Sequence, residues 1–127
     1  MTDGPLELTL PLAPSMNRYW RAYAGRVILS KDGRRYRDDA VADVWQAIGK
    51  PKTMRGRIEL HIVVHPRDRR SIDIDNRIKP TMDMLAHAGV YENDSQVDKL
   101  TVVRGAIIKG GLMQVWVSEL KSIAAHG

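Results

Sequence analysis

The chain has no cysteine among its 127 residues. Disulfide bonds, thiolate metal sites and thiol nucleophiles are therefore excluded. There is also no apolar run near the roughly 18 to 20 residues that a membrane-spanning helix requires, and no charged-then-apolar signal segment at the start. We therefore expect a cytoplasmic location and no membrane partner.

Several motifs of known chemistry are also missing. There is no glycine-rich phosphate loop, and the four histidines lack zinc-ligand spacing. A calcium-binding EF-hand loop would need Asn or Asp where Arg77 stands and glycine where Ile78 stands. The common restriction-type nuclease pattern has an acidic residue two positions before its lysine, and Arg77 occupies that position before Lys79.

Positive charge is in excess, with a formal net charge of +5 and a pI near 9.7. A basic surface favours polyanionic partners such as nucleic acid. The segment 18–37 combines seven basic residues and one acid with four aromatic rings, which can stack on unpaired bases: Tyr19, Trp20, Tyr23 and Tyr36. Alternatively, Trp20 and Tyr36 pack in the core. The arginines that we expect to contact DNA are Arg18, Arg21, Arg67, Arg69 and Arg70.

Apolar periodicity predicts strands at 6–10, 27–29 and 58–65, and a helix at 31–48 that Ser30 caps and Gly49 ends. A second helix is predicted at about 76–88, where Pro80 requires that it start close to Lys79 or bend there. Segments 100–108 and 112–120 are predicted to form a hairpin joined near Gly110-Gly111. We therefore expect one α+β domain over residues 1–127, with its core at about 6–119, a mixed, mainly antiparallel sheet, two principal helices and a frayed tail at 122–127.

The acidic segment 73–79 is the strongest chemical signal. In an extended segment Asp73 and Asp75 would face the same side, about 6 to 7 Å apart, and carboxylates at that separation favour Mg²⁺ or Mn²⁺. Ile72 and Ile74 would face the protein interior. In a helix, Lys79 would follow Asp75 on one face and could orient water or stabilise charge on a phosphate, with Asp83 one turn further on.

Asp94 is the candidate third carboxylate, because a hydrolytic metal site usually takes ligands from more than one element. Two alternatives stay open. Asn93-Asp94 is a common turn dipeptide, and the segment 73–79 could be only a solvated, charged loop.

These residues resemble a known family, the RusA Holliday-junction resolvases of phages and prophages. The resemblance rests on Asp73-Ile-Asp75-Asn76-x-x-Lys79-Pro80-x-x-Asp83, followed by Leu85, Gly89 and Asp94-Ser-Gln96-Val97. It includes Pro14-Ser15-x-Asn17-Arg18-Tyr19 and Lys109-Gly110-Gly111, in order from about Leu6 to Glu119.

The resemblance implies a RusA-like fold and a homodimer that requires Mg²⁺, for which Mn²⁺ substitutes, and that nicks opposing strands of a four-way junction. It implies that Asp73, Asp75 and Asp94 bind the metal and that Lys79 is the catalytic lysine; Asn76 and Asp83 are secondary candidates. We expect in-line hydrolysis that leaves 5′-phosphate ends. Asn93 and Arg77 depart from the family pattern.

Two other classes of protein could carry some of these residues. A non-catalytic protein that binds branched DNA would use the aspartates only to cap and link elements. An Asp-x-Asp nucleotide-sugar transferase would need a nucleotide-binding domain larger than this chain.

Overall fold

A computed structural model of the chain describes residues 5–120, so the predicted frayed tail lies outside the described residues. Two short 3-10 turns, Asp75–Arg77 and Asp94–Gln96, accompany the helices and strands. In chain order the helices and strands are β1 (Leu6–Leu10), α1 (Met16–Tyr19), β2 (Trp20–Tyr23), β3 (Arg26–Leu29), α2 (Lys31–Ile48), β4 (Ile58–His65), α3 (Ile78–His87), β5 (Val97–Arg104) and β6 (Leu112–Glu119).

The main sheet has four strands in the order β1-β6-β4-β5. Strand β4 is antiparallel to β6 and parallel to β5, and β1 is antiparallel to β6. Alternate residues of β4 are buried on one face, as expected for a strand with one face on the core: Ile58, Leu60, Ile62 and Val64. The α+β class with a mixed, mainly antiparallel sheet is confirmed.

The predicted hairpin of the last two strands is wrong. Strands β5 and β6 lie on opposite sides of β4, because α3 forms the crossover that brings β5 parallel to β4. The connection after β5 passes over the end of β4: the Gly105 amide donates to the Val64 carbonyl at 2.8 Å, and the Ile108 amide donates to the Pro66 carbonyl at 2.9 Å.

The predicted helix at 31–48 is confirmed. The Ser30 side chain accepts a hydrogen bond from the Gly33 amide at 2.9 Å, and Gly49 ends the helix with a φ of 73°. Gly33 lies in the first turn because a Cβ there would overlap the carbonyl oxygen of Tyr19. Close packing therefore requires glycine at this position, although glycine weakens a helix.

Helix α3 begins at Ile78, so Pro80 lies in its first turn, where a missing amide hydrogen costs no helical hydrogen bond. Of the two predicted outcomes at Pro80, a start close to Lys79 is the one found. Helices α2 and α3 contribute Tyr36, Val44, Met84 and Leu85 to the core beneath the sheet.

A second, two-stranded sheet pairs β2 with β3 through a tight turn at Ala24 and Gly25, both with positive φ. The prediction of a short strand at 27–29 is confirmed, but its partner β2 was missed. None of the helices between residues 5 and 120 has the length and apolar character that crossing a bilayer needs.

Candidate active site

The segment that contains Asp73 and Asp75 precedes α3. Ile74 has helical backbone angles, and Asp75 opens the 3-10 turn, so the predicted extended geometry through Asp75 is wrong. The predicted alternation of exposure does hold. Asp73 and Asp75 are exposed, whereas Ile72 and Ile74 are half-buried against the hydrophobic core and anchor the segment.

Asp73 and Asp75 have no Lys, Arg or His within 4.0 Å among the described residues, so both carboxylates remain available to a cation. Asn76 joins the turn through its backbone amide, which donates to the backbone carbonyl of Asp73 at 3.3 Å. Within residues 5–120 no three acidic or histidine side chains lie close enough together to form a preformed metal cage.

Asp94 is brought to α3 by a direct contact with Lys79. The Lys79 ammonium donates to a carboxylate oxygen of Asp94, and the side chains are 50% and 25% exposed respectively. Lys79 is the second residue of α3 and follows Asp75, which opens the preceding 3-10 turn, by four positions. The contact therefore puts Asp94 beside the first turn of α3, next to the segment that contains the other two aspartates.

The Asp94 turn is held by Gln96, a residue that sequence reasoning alone did not place in the site. The buried Gln96 side chain accepts from the amides of Glu92 and Asn93 at 2.8 and 2.9 Å. It donates to the carbonyls of Met54 and Gly56 at 3.0 and 2.9 Å. The sequence feature that could have indicated this role is the position of Gln96 two residues after Asp94 in a turn, where a side-chain amide can satisfy several backbone groups.

The Asn93 side chain also accepts a hydrogen bond, from the Ser95 amide at 2.8 Å. Asn93 therefore has the structural role of capping the 3-10 turn that begins at Asp94. The interpretation of Asn93-Asp94 as a turn dipeptide therefore holds for Asn93. The Asp94 side chain instead contacts Lys79.

Asp83 lies one turn beyond Lys79 on α3 and links all three helices. It accepts a hydrogen bond from the Tyr19 hydroxyl and forms an ion pair with Arg37 at 3.6 Å. Burial, and then the hydrogen bond and charge of Asp83, raise the pKa of Tyr19. These contacts give Asp83 the geometry of a residue that fixes the orientation of α3.

Comparison with known proteins identifies the family of this chain. Residues 10–115 match the family model described as "Endodeoxyribonuclease RusA". The chain belongs to the RusA family. The predicted family resemblance and the expectation of an endonuclease are confirmed.

Curated relatives cover nearly the whole chain. The "Crossover junction endodeoxyribonuclease rusA" of Enterobacteria phage HK97 is 32% identical over 117 residues, which are 92% of this chain and 97% of that protein. The protein of that name from Escherichia coli strain K12 is 37% identical, and that from Enterobacteria phage 82 is 36% identical. Each of these two alignments covers 89% of this chain and 93% of the relative.

The predicted DNA-contacting arginines of this RusA-family chain do not form one cluster. Arg18 and Arg67 line the same cleft, together with Arg77, and Arg70 lines its smaller part with them. Arg70 is paired with Asp68 at 2.9 Å, and the guanidinium of Arg21 lies 5.2 Å from the centre of the Tyr23 ring. Arg69 is exposed on the link that follows β4.

The aromatic residues of segment 18–37 divide into buried and exposed rings. Tyr19 and Tyr36 are buried in the core, so the prediction that these rings could stack on bases is wrong. Trp20 is half-buried and packs edge-on against Tyr19, with ring centres 4.7 Å apart. Tyr23 is 60% exposed at the β2–β3 turn and is available for stacking.

Proposed function

We propose that this protein is a Mg²⁺-dependent, structure-specific endonuclease that resolves four-way DNA junctions and related branched DNA. It introduces paired nicks in opposing strands and leaves 5′-phosphate and 3′-hydroxyl ends. The observation that supports this most strongly is the contact of Lys79 with Asp94, since it joins the catalytic candidates of two separate segments. The relatives named as crossover junction endodeoxyribonucleases support the choice of substrate.

The donor chemistry of the site fits a hard divalent cation. Asp73 and Asp75 offer exposed carboxylates without a described cationic partner, and Asp94 offers a third from the turn against α3. Carboxylate oxygens are preferred by Mg²⁺ and Mn²⁺, and Asp73, Asp75 and Asp94 would hold the ion. When bound, it would lower the pKa of the attacking water and neutralise charge on the scissile phosphate.

The residues of the chain supply the remaining functions. The Lys79 ammonium balances the negative charge of Asp94 before DNA binds, and it stabilises the charge that develops on the phosphate oxygens during in-line displacement. Gln96 fixes the turn that presents Asp94, and Asp83 fixes α3 through Tyr19 and Arg37. Fixed positions matter because small displacements of reacting groups slow hydrolysis strongly.

Paired nicking is best served by a homodimer, because a junction presents two equivalent strands and a two-fold dimer is the commonest oligomer. Mixed dimers of wild-type and Asp75→Asn subunits should nick only one strand of each junction. Fully resolved duplex products from such mixed dimers, or a monomeric mass under cleavage conditions, would contradict the dimer.

The experiment for the reaction uses a synthetic four-way junction labelled on each strand in turn, with a linear duplex of the same sequence as the control. We expect symmetric nicks in the junction only, and nicked products that DNA ligase reseals without prior phosphorylation. Products that resist ligation would refute 5′-phosphate ends, and equal cutting of the duplex would refute junction specificity.

The alternative is a non-catalytic protein that binds branched DNA, favoured by the net charge of +5 and by the arginine-lined cleft. It predicts that the junction stays intact in Mg²⁺ and that chelation of the metal changes nothing. The junction assay with and without Mg²⁺ therefore separates the two functions.

A further inference from the structure

A cleft of about 370 Å³ lies between the 11–14 segment, α2 and the link after β4. A smaller cleft beside it shares three arginines with the first, Arg18, Arg67 and Arg77, and extends to Ser71 and Ile72. Asp73, Asp75, Asp94 and Lys79 are absent from the described lining of both. The arginine cleft formed by these three residues is therefore adjacent to the catalytic segment but separate from it.

Arg77 forms the inner part of the arginine cleft. One terminal nitrogen donates to the Ala13 carbonyl at 2.7 Å, whereas its buried Nε has no hydrogen-bond partner within the described structure. Arg18 and Arg67 line the same cleft beside it. A buried donor without a partner, next to two like charges, is unfavourable until an anion binds.

The remaining charges of the arginine cleft leave it cationic: Arg35 and Asp39 in the larger cleft offset each other in formal charge, as do Arg70 and Asp68 in the smaller one. Arg18 approaches Asp32 at 3.9 Å, but both side chains are more than half exposed, so this ion pair is weak. Asp68 is already paired with Arg70. Arg67 is exposed and forms no hydrogen bond or ion pair with any residue between 5 and 120.

We infer that Arg18, Arg67 and Arg77 bind one backbone phosphate of the DNA, distinct from the phosphate that is cut. This rests on the proposed function for the identity of the ligand. A phosphodiester presents two charged oxygens, which match the planar forks of arginine side chains. Because Arg77 is two residues from Asp75, a phosphate held there sets the register of the strand across the catalytic segment. Arg77, which departs from the family pattern, is then a DNA-binding residue of this chain.

The test measures binding of a four-way junction in EDTA at several salt concentrations, so that it does not depend on cleavage. Arg67→Met and Arg77→Met should each weaken binding roughly tenfold and reduce the slope of log affinity against log salt by about one. The double variant should be little weaker than either single variant, because residues that share one phosphate are coupled. Lys50→Met is the matched control, since Lys50 lies beyond the C-terminal end of α2, and the last residue of that helix, Ile48, is about 20 Å from Arg35 in the cleft wall.

Additive losses in the double variant, or weaker binding with an unchanged salt slope, would contradict the inference that these arginines bind one shared phosphate. Normal binding by a folded Arg67→Met protein would overturn it as well. If Arg77→Met fails to fold because the Ala13 contact is lost, a scan of neutral methylphosphonate linkages replaces the double variant. One non-scissile linkage should then weaken wild-type binding but not that of Arg67→Met. Failure of the proposed function would instead leave these binding results intact and abolish Mg²⁺-dependent cleavage.

Discussion

The ammonium of Lys79 contacts the carboxylate of Asp94 although 15 positions separate them in sequence. The contact joins the first turn of α3 to the turn that precedes β5 and links two of the four proposed catalytic residues. Asp94→Asn removes the negative charge and keeps the shape of the side chain. We expect junction cleavage to fall more than about 100-fold, because loss of a metal-binding carboxylate costs several kcal/mol of transition-state stabilisation. Rates of junction nicking measure this.

The matched control for that prediction is Asp98→Asn, four residues further on. Asp98 is exposed and pairs with Arg57 at 2.6 Å, away from Lys79. Its replacement should change the rate less than about twofold, since exposed ion pairs contribute little. Equal rates for Asp94→Asn and Asp98→Asn would show that Asp94 has no catalytic function.

Gln96→Leu tests whether the Asp94 turn must be fixed. The substitution leaves two backbone amides and two backbone carbonyls without the partner that Gln96 provides. We expect the free energy of unfolding to fall by about 2 to 3 kcal/mol, measured by urea denaturation. Cleavage by the protein that remains folded should also fall, while junction binding is retained. Wild-type cleavage by folded Gln96→Leu would mean that Gln96 supports only the fold.

Part of the fold follows directly from local sequence. Helix α2 and strand β4 have the predicted bounds, because a serine cap, a terminal glycine and strict apolar alternation are local signals. The pairing of β5 could not be predicted in the same way. Gly110 and Gly111 do form a turn, but the partner of a strand is decided by the whole sheet, and the α3 crossover directs β5 to β4.

Tyr19→Phe tests the link between the helices. The change removes the hydrogen bond to Asp83 and leaves the packing of the buried ring. We expect a loss of about 1 to 2 kcal/mol in the free energy of unfolding at pH 7, measured by urea denaturation. Tyr23→Phe is the control, because Tyr23 is 60% exposed and should change stability little. Equal stability of Tyr19→Phe and the wild type would contradict the link.

The same tyrosine gives a dependence on pH. Burial and Asp83 raise the pKa of Tyr19 above its ordinary value of 10. The folded state therefore keeps the proton while the unfolded state loses it, so the stabilisation is complete below pH 10 and is lost as the pH rises above it. Unfolding measured between pH 8 and 11 should show a smaller alkaline loss for Tyr19→Phe than for the wild type.

Removal of the metal separates catalysis from binding. With EDTA we expect junction cleavage to stop and junction binding to persist, because the arginines need no metal to contact phosphate. Mg²⁺ or Mn²⁺ should restore cleavage. Cleavage that continues at an undiminished rate in EDTA would exclude a role for Asp73 and Asp75 as metal ligands.

Only part of the candidate site could be predicted from the sequence. Spacing within 73–79 was enough to predict two of the carboxylates and Lys79 as candidates, since those residues are close in the chain. The roles of Gln96 and Arg77 depend on contacts with Met54, Gly56 and Ala13, residues distant in sequence. The burial of Tyr19 and Tyr36 likewise depends on how α2 packs, and a basic, aromatic segment has the same composition whether its rings face the core or the solvent.

The most direct test of the proposed metal-dependent cleavage compares wild type and Asp75→Asn on one labelled four-way junction in magnesium buffer, with binding measured in parallel. We predict paired, symmetric nicks by the wild type, whereas Asp75→Asn binds the junction at least as tightly but does not cut it. A junction left intact by the wild type, or cut at the wild-type rate by Asp75→Asn, would contradict it.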